Sequence, residues 1–200
     1  VIVTSHPLNY LPGVSVIRKV ADADVVLWLD NIRYSTPGWQ DRNVLPDGTQ
    51  LTVPVVRESH RDRLRKVRIE GQGWAVDHAA HIERVFGEQP NYQPDIPRFI
   101  AGNDWSGQKL VDLSAGLLDL ILPALGIDTV QRRQSEFKLG GHSIAEQLIR
   151  TIKALGGTTY LAAPNSHAYL SVPDFEKHGI ELKFHAHEGP NPCCLSEVFQ

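Results

Sequence analysis

Apolar residues along this chain fall into short continuous runs separated by stretches with helical spacing. Val1–Ser5 is a β-branched run that stops at His6-Pro7, and Asp24–Leu29 (DVVLWL) is a second that stops at Asp30. Short apolar runs bounded by turn formers predict buried strands. Between them, Pro12 opens a stretch with Val14, Ile17, Val20 and Ala21 at helical spacing. Leu51–Val56 predicts a further strand, of edge type because Pro54 has no N–H for a ladder. Residues 31–50 hold two turn clusters, Ser35-Thr36-Pro37-Gly38 and Pro46-Asp47-Gly48, and predict a long functional loop or a hairpin.

The second half is more helical. Trp74, His78, His81, Ile82, Val85 and Phe86 recur at helical spacing up to Gly87, and the Pro-rich segment Gln89–Pro97 that follows predicts irregular chain. Leu110, Leu113, Leu117, Leu120, Ile121 and Leu125 describe the strongest amphipathic helix, with Pro123 near its end. Ser143 and Glu146 form an S-x-x-E capping box for a helix that buries Ile144, Leu148, Ile152 and Leu155 and ends at Gly156-Gly157. Thr158–Ala163 and Ile180–Ala186 supply two late strands. Strands alternating with helices predict an α/β fold, a mostly parallel central sheet with helices on both faces. The expected organisation is one domain over residues 1–200, with a small helical lobe set off near residues 89–105 as the one subdivision the composition suggests.

In open parallel sheets, ligands bind in the crevice beyond the carboxyl ends of the strands. Four predicted strands deliver polar groups there: Ser5-His6, Asp30-Asn31, Pro164-Asn165-Ser166-His167, and His185 with His187. His6 and Asp30 form a titratable pair suited to acid–base work. His185-x-His187 offers two imidazoles to a metal with His6 as a third, but the spacing matches no metal motif, and no metal or cofactor is expected. No G-x-G-x-x-G, P-loop lysine, C-x-x-C, H-E-x-x-H or G-x-S-x-G pattern occurs. His78 and His81 sit on a helix beside Trp74, where partly buried structural histidines are the simpler reading.

Composition narrows the class. The 200 residues are 42% hydrophobic and 22% charged, as in ordinary globular chains. No window reaches the roughly 18 apolar residues of a membrane span, and the opening Val-Ile-Val-Thr lacks the basic flank of a signal peptide. The two cysteines, Cys193 and Cys194, are adjacent, which suits a reducing compartment better than a disulfide staple. A cytoplasmic protein without membrane contact is expected. The net charge of −3 gives nucleic acid no global attraction, yet Arg57–Arg68 reads RESHRDRLRKVR, six basic residues against two acidic. That segment predicts either a solvated loop or a polyanion contact.

Several blocks together resemble the WbqC-like family: His6, Asn9-Tyr10-Leu11-Pro12, Ala23-Asp24, Leu29-Asp30, Trp39-Gln40-x-Arg42-Asn43, Leu51-Thr52-Val53-Pro54-Val55, Trp74 with His78, and Gly156-x-x-Thr159-Tyr160-Leu161. At the first block Gly13 stands where the family pattern has tryptophan, which suggests a divergent branch. The family occurs in surface-polysaccharide gene clusters. Its bacteriophage branch consists of amino-acid:DNA transferases that join glycine to a phosphomethylated uracil during thymidine hypermodification. The resemblance implies His6, Asp30 and Arg42 as catalytic residues. Asn9, Trp39, Asn43, Trp74 and His78, which lie in these blocks, are expected substrate contacts, as are Asn165, Ser166 and Tyr169 beyond the late strand.

Joining an amine to an activated carbon needs a base for the ammonium, donors for the departing phosphate, and a wall for the flat acceptor. His6 or Asp30 suits the first need, Arg42 with Asn43 the second, and Trp39 or Trp74 the third. Two functions follow. One is a DNA-modifying transferase using an amino-acid co-substrate, its phosphate contacts made by Arg57, Arg61, Arg63, Arg65, Lys66 and Arg68; a phage enzyme of this kind would work in the host cytoplasm. The other is an enzyme modifying a sugar or nucleotide-sugar for surface polysaccharide. A non-catalytic binding domain would leave His6 and Asp30 without a task.

Overall fold

The computed structural model describes residues 1–35, 38–137, 143–186 and 189–199, with the side chains of Ser59 and His60 set aside. Packing divides the chain into two compact units. The first comprises Val1–His6, Arg18–Leu29 and Asp128–Pro190; the second comprises Pro7–Ile17, Asp30–Ile127 and Asn191–Gln200. Residues 89–105 lie inside the second.

The first unit carries a five-stranded parallel sheet. The apolar runs form β1 (Ile2–Pro7) and β2 (Val25–Leu29), and the late ones form β6 (Thr159–Ala162) and β7 (Glu181–Phe184). The fifth strand, β5 (Val130–Arg133), was not predicted. The order is β5-β2-β1-β6-β7. Ile2 is level with Thr159 in the β1–β6 pair, and Thr159 with Glu181 in the β6–β7 pair. From β1 the chain builds outward first to one side, through β2, and later to the other, through β6. The direction of winding therefore reverses between β1 and β6, the switch point of an open α/β sheet. α1 (Val14–Ala21) joins β1 to β2, and α6 (Val172–Glu176) joins β6 to β7; with the right-handed crossovers that parallel strands almost always use, connections running in opposite directions are expected on opposite faces.

One face of this sheet buries Val3, Tyr160, Ala162 and Leu182 with Leu170, Phe175 and Ile180 and with Ile149 and Ile152 of α5 (Ile144–Ala154). Tyr160 and Phe175 stack with centroids 5.5 Å apart. The Ser143 hydroxyl caps α5 by accepting from the Glu146 N–H at 3.1 Å, as its sequence predicts. Ile144 departs from prediction. It is 80% exposed, because the first turn of α5 turns it away from the core that Ile149 and Ile152 fill. Beyond α5, Gly156 takes φ +71° to end the helix. A Cβ on Gly157 would come within 2.7 Å of both Ile152 and Val3, so only glycine lets helix and strand approach so closely.

The second unit is built on helices. α2 (Gly73–Phe86) buries Ala75, His78, Ile82 and Phe86, and α4 (Leu110–Ala124) buries a broad stripe including Leu113, Leu117 and Ile121. The segment expected to be irregular becomes helical at α3 (Asp95–Ala101). Pro97 is tolerated there because it sits in the first turn, where no N–H has an intrahelical acceptor. β3 (Arg42–Val44) and β4 (Gln50–Thr52) pair antiparallel around the predicted Pro46-Asp47-Gly48 turn. The strand expected over Leu51–Val56 stops at Thr52. Val53 donates back to the Asp41 carbonyl, while Val55 forms an isolated bridge with Ile69.

Candidate functional site

At the switch point of the first unit, β1 ends in Ser5, His6 and Pro7. The Ser5 hydroxyl shares a 2.7 Å hydrogen bond with the Tyr160 phenol of β6, and burial pushes that phenol up to about 12. Lys19, on α1, is only 3% exposed and donates to the Ser5 carbonyl over 2.8 Å. Burial lowers its ammonium to about 8. His6 is half-buried, and burial, reinforced by the Lys19 charge, holds its imidazole down to about 3. It is therefore neutral across the physiological range, a group that can hold a substrate atom but that competes weakly for a proton.

Beyond β6, Pro164–Ala168 makes a 3-10 turn. Ser166 is buried and bonds the Tyr169 phenol at 2.8 Å; Tyr169 and Asn165 are exposed. His167 stacks on Phe184. His185 faces Asp22, with Nε2 3.1 Å from Oδ2. His187, the other half of the considered metal pair, lies outside the described residues. Among the described residues no group of three metal-ligating side chains comes together.

The second unit holds the remaining predicted residues. Asp30 is 2% exposed, and its carbonyl accepts from the Arg65 N–H. Arg42 grips its own neighbour: Nε and Nη2 lie 2.9 and 3.1 Å from the carboxylate of buried Asp41, which also accepts from the Tyr34 phenol at 2.7 Å. The guanidinium thus arrives with its charge already balanced. Asn43 bonds the Leu11 carbonyl and its own neighbour Val44. Leu11 has φ +46°, rare for a side chain of its size, so Asn43 braces a strained turn. Asn9, two residues earlier, is half-buried.

Trp39 is 61% exposed. Trp74 is half-buried and meets His78 edge-on at 5.0 Å; Tyr10 completes the cluster. His78 Nδ1 shares a 2.9 Å hydrogen bond with the Tyr10 phenol, and the ring also bonds the Thr52 backbone. Burial, then the charge of His81, lowers it to about 4.

The basic segment folds as two 3-10 turns, Arg57–Arg61 and Leu64–Lys66. Arg57, Arg61, Arg63, Arg65, Lys66 and Arg68 are all exposed, whereas Leu64, Val67 and Ile69 are fully buried beneath them. Arg63 donates to the Asn31 carbonyl, Arg65 to the Asn31 side chain and Arg68 to the Gly107 carbonyl.

The model of the WbqC-like protein family matches residues 8–199. The chain belongs to that family. The uncharacterized protein Rv1507c of Mycobacterium tuberculosis is 25% identical over 187 residues, covering 90% of this chain and 80% of the relative. No solved structure matches. Membership is compatible with an enzyme of transferase type. In the family's terms, His6 lies just ahead of the matched span, and the other sequence-predicted residues fall inside it. No helix among the described residues is long and apolar enough to cross a membrane.

Sequence reasoning missed Lys19 and Asp41 in this WbqC-like chain. Lys19 gave one unused signal, its place one turn beyond Val16 on the buried face of α1. Asp41 gave none.

Proposed function

We propose that this WbqC-like protein is a transferase joining the amine of a small amino acid to a phosphomethylated pyrimidine in DNA, a step of thymidine hypermodification. The observation that carries the reading is the basic face of residues 57–68. Six cationic side chains point to solvent from a segment whose apolar residues anchor it to the core. A firmly held cationic strip suits a phosphate backbone. In the reaction the amine nitrogen bonds to the methylene carbon on the pyrimidine, the carbon–oxygen bond to phosphate breaks, and the ammonium proton passes to a base. Asp30 is the carboxylate assigned to that proton and His6 a neutral holding group. Trp39 offers an indole face for stacking. Arg42, held by Asp41 through Nε and Nη2, is the guanidinium assigned to the departing phosphate.

The second reading is group transfer to a sugar or nucleotide-sugar for surface polysaccharide. It is favoured by the net charge of −3 and by the bonds that tie Arg63, Arg65 and Arg68 to their own chain. Titrating DNA binding with salt separates the two. Each phosphate neutralised on duplex contributes about −0.9 to the log–log slope. Replacing Arg57, Arg61 and Lys66 by Ser is expected to flatten that slope by up to about three units if all three make contacts. Absence of DNA association at low ionic strength removes the first reading and leaves the second.

A further inference from the structure

Lys19 is a buried ammonium with no counter-ion among the described residues. Its one hydrogen bond there is to an uncharged acceptor, the Ser5 carbonyl. Asp22, one turn further along the chain, has its Oδ2 on His185 instead. Asp24 accepts from the Ile2 N–H. Burying a cation without an opposite charge is costly, and such a group either yields its proton or awaits an anion. A second observation concerns place. Lys19 holds the carboxyl end of β1, beside the point between β1 and β6 where the winding reverses and where parallel sheets receive ligands.

We propose that Lys19 is the cation of a ligand site at this strand end, and that it receives a monoanionic carboxylate. Charge matching selects the carboxylate. Lys19 supplies one positive charge, and His6, its neighbour in the field, adds none because it stays neutral. A phosphate monoester, with a second pKa near 6, is mostly dianionic at neutral pH and would leave one negative charge uncompensated in a poorly hydrated place. A carboxylate leaves none. The site itself does not depend on the transferase reading, but assigning the carboxylate to the amino-acid co-substrate does.

The test uses the full chain at constant ionic strength, titrated with acetate, glycine and inorganic phosphate. The Lys19 ammonium signal is followed by NMR and binding by calorimetry. Acetate is expected to shift the Lys19 signal and to bind at least about tenfold more weakly to Lys19→Met, which keeps the alkyl stem and loses the charge. Phosphate is expected to compete poorly. A Lys19 signal unmoved by acetate overturns the proposal, as does a stronger response to phosphate. Both can be read on the wild-type protein whether or not the variant folds. If acetate binds and glycine does not, the carboxylate site stands and the amino-acid transferase reading is the one that fails.

Discussion

The phenol of Tyr10 sits 2.9 Å from Nδ1 of His78, and both side chains are buried. Burial pushes Tyr10 well above its usual range, so the phenol keeps its proton, and burial likewise holds His78 neutral. Tyr10→Phe keeps the ring and removes the proton. It should cost about 1–3 kcal/mol, the usual penalty for leaving a buried polar group without its partner. A urea titration at pH 7 checks it.

The same histidine sets a pH dependence. His78 titrates near 4 in the folded chain against 6.5 unfolded, and His6 near 3, so the unfolded state binds more protons as pH falls below 6.5. Stability present above that pH should decline progressively from about pH 6.5 down through 4 and on toward 3. Urea midpoints measured across that window should fall, and His78→Gln should flatten part of the decline whatever its stability at pH 7.

His6→Ala and Asp30→Asn should each reduce transfer by at least about a hundredfold with the fold retained, the usual scale for losing an acid–base or positioning group. Arg42→Ala should behave differently. It strips buried Asp41 of its cation, so turnover and melting temperature should fall together. Paired melts and turnover assays on one preparation distinguish the three, and near-wild-type turnover in all of them would mean that other residues carry the chemistry.

Trp39 is exposed, whereas Trp28 and Trp105 are 2% and 7% exposed. Trp39→Phe should therefore leave the melting temperature within about 1 °C and remove the larger share of the emission that acrylamide quenches, the remainder coming from half-buried Trp74. Substrate should protect that emission if the indole is the stacking wall.

Arg63 and Arg65 support Asn31, the residue after Asp30. Replacing both by Ser should lower the melting temperature measurably, whereas the Arg57, Arg61 and Lys66 triple should not, since ordinary surface changes stay within about 0.5 kcal/mol each. Differential scanning calorimetry of the two variants separates cations that hold the loop from cations left to the substrate.

Buried strands were legible because DVVLWL and the run before His6 have no polar face to misread. β5 was hidden because VQRR is a polar edge strand recognised only by its neighbour: Trp28 of β2 donates to Gln131 at 2.8 Å, and Val25 is level with Val130. At the site, positions were easier to read than states. His6 and Ser166 close their strands as expected, but burial, which no spacing reports, holds His6 neutral and Lys19 out of water. The Arg42–Asp41 pair was equally hidden, because adjacent residues on extended chain ordinarily point to opposite sides.

The two compact units exchange the chain at Pro7, Arg18, Asp30, Asp128 and Asn191. During synthesis, β1 therefore waits for β6, which pairs with Ile2 only after more than 150 further residues have been made. The second unit likewise lacks its last segment, with Phe199 packed on Phe86, until the end of the described chain emerges. Neither unit can be completed while the other is unmade. A nascent chain of this protein must carry unpaired strand edges through most of its translation; truncation at Ile127 severs both units at once, whereas truncation at Pro190 removes the last segment of the second alone.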